Sequence, residues 1–109
     1  MAYAISISPS AGNDLLEIYQ YIAEDLNAVQ SAIGQLERLE RAIYSLDGMP
    51  ERYPRYNREP WFSRNLRIMP VDNYLVFYIP KKDVQEIAVM RIIYGGRDLL
   101  KQLGELKSL

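Results

Sequence analysis

Apolar positions along this chain change period twice. Tyr3, Ile5 and Ile7 alternate with small or polar residues up to Ser8, the two-residue repeat of a half-buried strand, and Pro9 ends the run. From Ser10, read as a helix cap, Leu15, Ile18, Ile22 and Leu26 recur at spacings of three and four, which predicts one face of an amphipathic helix that Asn27 interrupts. Val29, Ala32, Leu36, Leu39, Ile43 and Leu46 then follow at alternating spacings of three and four. That is one narrow apolar seam roughly five turns long, and Asp47-Gly48-Met49-Pro50 stops it.

The short connection between the two helices predicts an antiparallel hairpin whose seams face each other and a sheet. Residues 50–65 contain Pro50, Pro54 and Pro60 and read as an irregular connection. Strands are expected over Leu66–Met69, Tyr74–Ile79 and Gln85–Tyr94, with Pro80-Lys81-Lys82-Asp83 as a hairpin turn. Tyr74 to Ile79 is apolar or aromatic on both faces, as is the last strand, which places both inside the sheet. One hairpin covers one sheet face, so the other is expected to expose Ile, Val and Tyr side chains as a binding surface. The order strand, helix, helix, three strands makes the fold class α+β, β-α-α-β-β-β, a helical hairpin packed on a small antiparallel sheet.

Composition narrows the chemistry. At 109 residues the chain has room for a single domain, 1–109, with one core. The opening Met1-Ala2-Tyr3-Ala4-Ile5-Ser6 does not look like a secretory leader, and no apolar run approaches the ~20 residues of a membrane span, so the expected location is cytoplasmic, with no membrane partner. Cysteine and histidine are both absent. Thiolate chemistry, a Cys-ligated zinc site and the commonest general base are therefore excluded, and chemistry falls to Arg, Lys, Tyr, Asp or Glu. No metal and no cofactor are expected. Residues 1–50 carry seven acids and two bases, residues 51–109 eleven bases and seven acids, which leaves a local basic region in a chain of net charge −1. A polyanion-binding domain has a stronger basic excess, which disfavours tight nucleic-acid binding by the isolated chain.

The order of elements together with Tyr3-Ala4-Ile5, Asp14 to Ile22, Asn73-Tyr74-Leu75-Val76-Phe77-Tyr78 and Arg91-Ile92-Ile93-Tyr94-Gly95-Gly96-Arg97-Asp98 resembles the ParE/RelE superfamily of bacterial toxins, the plasmid stabilisation family. The resemblance covers nearly the whole chain. It implies the toxin of a type II toxin-antitoxin module, bound by a cognate antitoxin as a homodimer or heterotetramer. It also implies one of two ways of inhibiting growth: ParE-like inhibition of DNA gyrase by protein-protein contact, or RelE-like, metal-independent cleavage of mRNA on the ribosome. A degenerate member that only binds its antitoxin is a third outcome.

For the nuclease, the resemblance points to Arg67 and Arg97 as cations for the phosphorane charge and Tyr94 as a stacking or proton-donating group. Two departures weaken it: Ile93 stands where some members carry an acid-base histidine, and Leu103 where others carry a tyrosine. Simpler readings exist too, with Arg67 solvated opposite Asp72 or Glu86 and Arg97 paired with Asp98. For the inhibitor, target binding falls to Arg97, Leu99, Leu100 and Leu103 on a short amphipathic segment. Antitoxin binding falls to Ile87, Val89, Arg91 and Ile93 on the free sheet face, with Arg91 paired to a carboxylate of this chain or of the antitoxin. The run Arg52 to Arg64 interleaves bases with aromatics, which suits nucleotide stacking through Tyr53, Tyr56 or Trp61, or a proline-rich loop anchored by Trp61 and Phe62. Glu37, Arg38, Glu40 and Arg41 read as a solvated helix face.

Overall fold

The computed structural model describes residues 2–96. Strand β1 (Ala4–Ile7) leads into helix α1 (Pro9–Gln20), a π-helical turn (Tyr21–Asp25), helix α2 (Val29–Tyr44) and a 3-10 turn (Ser45–Asp47). After a long loop come β2 (Arg67–Val71), β3 (Tyr74–Lys81) and β4 (Glu86–Tyr94). The sheet order is β1-β4-β3-β2. The two doubly apolar strands are thus the inner ones, as their sequences require. The sheet is mixed, not antiparallel, because β1 runs parallel to β4 from Ala4 opposite Glu86 to Ile7 opposite Val89.

Local chemistry explains where the elements begin and end. Ser8, not Ser10, caps α1: its hydroxyl accepts from the Ala11 N–H at 3.0 Å, and Pro9 takes the first helical turn, where its missing N–H leaves nothing unpaired. The Ser8 hydroxyl also donates to the Met90 carbonyl at 2.8 Å, fixing the helix start to β4. In the π-helical turn the Leu26 N–H reaches back to the Tyr21 carbonyl. The extra residue rotates the helix end outward, so Tyr21 and Leu26 are exposed while Ile18 is buried. Pro80 and Lys81 belong to β3, and the turn falls later, ending at Gln85 with φ 50°. Among the described residues no helix is long and apolar enough to cross a membrane.

The α2 seam packs on the sheet as its spacing predicts. Ala32, Leu39, Ile43 and Leu46 are buried and Leu36 half-buried, whereas Val29, at the helix start, is exposed. Leu36, Leu39, Ile43 and Leu46 meet Met69, Val76, Tyr78, Ile87, Val89 and Ile92 in one core. A second core lies on the opposite sheet face, where Trp61 and Leu66 of the long loop cover Phe77, Ile79 and Ile93. That face is therefore covered, not open as expected, because the loop folds back over it. Trp61 anchors it, whereas Phe62 stays exposed.

A β-bulge in β4 corrects the facing of its side chains. Tyr78 pairs with Val89 and Phe77 with Arg91, so Met90 is the extra residue. One extra residue reverses the inside-outside alternation beyond it. Ile87 and Val89 hence face the helices, Ile92 continues their side, and Ile93 joins the second core. The set Ile87, Val89, Arg91, Ile93 does not share a free face; the three apolar members are all buried.

Truncation at two seam positions checks the packing. Leu39→Ala should lower stability by about 2–5 kcal/mol, since Leu39 is fully buried. Val29→Ala at the exposed end should change it by no more than ~0.5 kcal/mol. Urea midpoints report both, and equal shifts would contradict the placement.

Candidate functional site

β1 ends at Ile7 opposite Val89, which leaves the second half of β4, from Met90 to Tyr94, without a strand on that side. α1 occupies the gap. Ala11, Asp14 and Ile18 form its buried stripe, so one carboxylate enters an apolar contact. Asp14 accepts from the Ile92 backbone N–H at 2.9 Å and from Arg91 Nε and a terminal nitrogen at 2.8 and 3.0 Å. The carboxylate thus stands in for a neighbouring strand at the open edge and neutralises Arg91. Both side chains are about nine-tenths buried. The partner of Arg91 is therefore in this chain, and the residue is spent on holding α1 to β4.

Above this pair opens a cleft of about 590 Å³ between α1 with its π-helical turn, α2, and the ends of β3 and β4. Tyr21, Ile22 and Leu26 supply apolar surface, and Glu17, Arg38 and Arg91 supply charge. Arg38 is exposed, as its helix face predicts, yet paired: its Nε donates to Asp72 at 2.8 Å, and the buried Gln35 donates to the same oxygen at 2.9 Å. Asp72 sits with φ 55° in the tight turn between β2 and β3, so the pair fixes this turn to α2. Hydrogen bonds from Arg38 and Gln35 hold the Asp72 carboxyl below the usual carboxylate range, against a small opposing effect of burial.

Tyr94 stands at the rim of the cleft, 48% exposed, with its ring edge-on to Tyr74 at 5.9 Å. Gly96 lies beneath that ring. A Cβ there would come within 2.8 Å of a Tyr94 ring carbon, so the position has room only for glycine while the ring keeps its place. Of the other candidates, Arg97, Leu99, Leu100 and Leu103 lie outside the described residues.

Arg67 is elsewhere and otherwise occupied. It pairs with Tyr78, four residues along β3 from the Tyr74 opposite Tyr94, and at ~3.3 Å per residue and ~4.8 Å per strand the two backbones are roughly 16 Å apart. Its guanidinium is buried, donating to the Glu51 and Tyr53 carbonyls at 3.2 and 2.7 Å and reaching the Glu51 carboxylate at 3.4 Å. It is thus neither the solvated residue opposite Asp72 or Glu86 nor an exposed cation, but the tie that starts the long loop. Glu51 also meets Lys82 at 2.6 Å, and the Lys82 hydrogen bond, the largest influence, draws its carboxyl below the ordinary range. The Tyr78 hydroxyl donates to the Pro50 carbonyl at 3.0 Å, and burial pushes its phenol upward.

The loop turns Tyr53, Tyr56 and Trp61 inward and leaves Phe62 and its arginines outward. Tyr56 packs edge-on against Phe77, Trp61 is buried, and Tyr53 joins the first core. The expected stacking platform for nucleotides is hence absent at these rings. Among the described residues no group of three or more His, Cys, Asp or Glu side chains is placed to hold a metal ion.

The comparisons agree with this geometry. The sequence profile of the ParE toxin of the type II toxin-antitoxin system parDE matches residues 5–99. No curated protein matches the chain in sequence. Among solved structures, the chromosomal ParDE system of Pseudomonas aeruginosa superposes with a TM-score of 0.69 at 17% identity, covering 85% of this chain and 96% of that one. The RelBE2 toxin-antitoxin complex of Mycobacterium tuberculosis gives 0.64 at 14% identity, over 86% and 99% of the two chains. A mutant of the Escherichia coli toxin RelE in its free state gives 0.64 at 12% identity, over all of both chains. At these identities the likeness shows the fold.

Two ion pairs can be tested separately. Asp14→Ala removes the carboxylate to which the buried Arg91 guanidinium and the Ile92 N–H donate, so it should cost about 3–5 kcal/mol in a urea melt. A loss under 1 kcal/mol would contradict the edge role of Asp14. Asp72 should behave as a depressed carboxylate: its contribution to stability is present above its unfolded pKa and is lost as pH falls through the lower folded pKa. Arg38→Met should move its titration, followed by carboxyl NMR, back toward the ordinary range, and coincident curves would refute the pairing.

Proposed function

Because the chain belongs to the ParE toxin family of type II toxin-antitoxin systems, we propose that it halts growth by binding DNA gyrase and is neutralised by a cognate antitoxin. The observation that carries this over cleavage is the state of Arg67. A cation for a scissile phosphate must be open to substrate, and this one is sealed under the loop by two carbonyls and Glu51. Ile93 is buried in the second core, and the chain has no histidine to serve as the missing acid or base.

What remains open to solvent suits recognition. Tyr21, Leu26 and Tyr94 are exposed around one cleft with Arg38 beside them, an amphipathic rim of the kind that docks a protein segment. Recognition by Arg97, Leu99, Leu100 and Leu103, which continue the chain from that rim, belongs to the same proposal. The family partner, an antitoxin, has the same rim and the helical hairpin available to it.

The reading for mRNA cleavage keeps one favourable observation, the exposure of Tyr94. Two assays with the purified chain separate the mechanisms. The wild type should block supercoiling by purified gyrase and produce no codon-dependent cuts on translating ribosomes; ribosome-dependent cuts without gyrase inhibition would reverse the assignment. Arg67→Ala should act through stability, lowering it by about 1–3 kcal/mol for each loop carbonyl left unpaired, with inhibition per folded molecule retained.

A further inference from the structure

The long loop concentrates charge in an unusual way for an acidic chain. Arg52, Arg55, Arg58 and Arg64 are all exposed, and among the described residues none of them forms an ion pair. The two acids of the same stretch are taken: Glu51 by Lys82 and Arg67, and Glu59 by the Ser63 N–H and hydroxyl at 2.9 and 2.6 Å. Three of the four cations are also held in place. Arg52 lies 5.4 Å above the Tyr53 ring, Arg55 5.0 Å above Phe62 and Arg64 5.8 Å above Trp61. Arg55 spends one terminal N–H on the Phe62 carbonyl at 3.4 Å, and stacking otherwise leaves guanidinium N–H edges able to donate while reducing the freedom lost on binding.

The backbone under them is equally fixed. Trp61 is buried in the second core, the Tyr56 N–H donates to Leu66 at 2.7 Å, and Arg67 grips the Glu51 and Tyr53 carbonyls. A loop of this length that is anchored at several points, yet leaves its cations uncompensated, is organised for something outside it.

We infer that the Arg52–Arg64 loop is a docking surface for an acidic, extended segment of a partner protein. Guanidinium edges match carboxylates two by two, and the segment would supply the counter-charge the chain withholds. A single-stranded nucleic acid fits less well. Its bases need open aromatic faces, whereas Tyr53, Phe62 and Trp61 each already have an arginine over the ring and Tyr56 is packed on Phe77. The inference rests on the proposed function only in taking the partner to be the antitoxin.

The test uses the full chain with a fluorescein-labelled peptide of alternating Glu and Leu, and a labelled oligouridylate for comparison. Anisotropy should show peptide binding that weakens with salt, by screening of exposed pairs. Replacing all four arginines with Gln should weaken it about tenfold, since each exposed pair contributes little and four are lost. Arg58→Gln alone, at a side chain with no ring contact, should give a smaller loss with unchanged thermal melting. Arg41→Gln, exposed on α2, should change nothing. Absent peptide binding, or equal affinity in wild type, Arg58→Gln and the fourfold variant, would overturn the assignment. So would tighter binding of oligouridylate that disappears in the same variants. Supercoiling inhibition is read in parallel. If it persists while the peptide fails, the loop assignment alone falls; if it fails while the peptide binds, the gyrase proposal falls and the loop stands.

Discussion

A single carboxylate, Asp14, joins the two layers of this fold at the place where the sheet runs out of strands. β1 is four residues long and pairs with only part of β4, so the strand beyond it has polar groups that need a partner. A helix cannot ordinarily complete a sheet edge, because its own backbone groups are already paired along its axis. Asp14 solves this with a side chain, taking the Ile92 N–H and the Arg91 guanidinium at once. Ser8, at the N-cap of α1, ties the same strand by donating to the Met90 carbonyl.

This arrangement decides what is available for recognition. With Arg91 consumed by Asp14 and Arg67 consumed by the loop, the two cations that look most chemical in the strands are structural. The surface cations that remain are on the loop, and the exposed aromatic and aliphatic groups Tyr21, Leu26 and Tyr94 surround the cleft between helices and sheet. These are two kinds of surface, one charged and one amphipathic. The two lie in different parts of the molecule: the cleft is built on the first core, the arginine loop on the second.

Much of the site was hidden in the sequence for a definite reason. Arg91 was recognisable as a cation on an apolar strand that must find a carboxylate, but nothing local says which one. The signal was in α1, where Ala11, Asp14 and Ile18 repeat at three and four and put an acid on the buried stripe. Arg38 gave no such sign; among Glu37, Glu40 and Arg41 it reads as solvated, and only the turn holding Asp72 with φ 55° brings it a partner. Strict alternation along Ile87, Val89, Arg91 and Ile93 failed because a bulge is a property of two strands in register, and one strand's sequence does not record it.

The sequence by itself determined the order of elements, the helical hairpin, the α2 seam and the interior position of β3 and β4. Each of these follows from a repeat of side chains along one segment, and burial of apolar surface enforces such repeats wherever the segment packs. Tertiary structure alone decided that β1 lies parallel to β4, that the proline-rich loop covers the second sheet face through Trp61, and that Arg67 faces inward to two carbonyls. These depend on contacts between residues distant in the chain, where the competing partners of a charged or polar group differ by only a few kcal/mol and geometry selects among them.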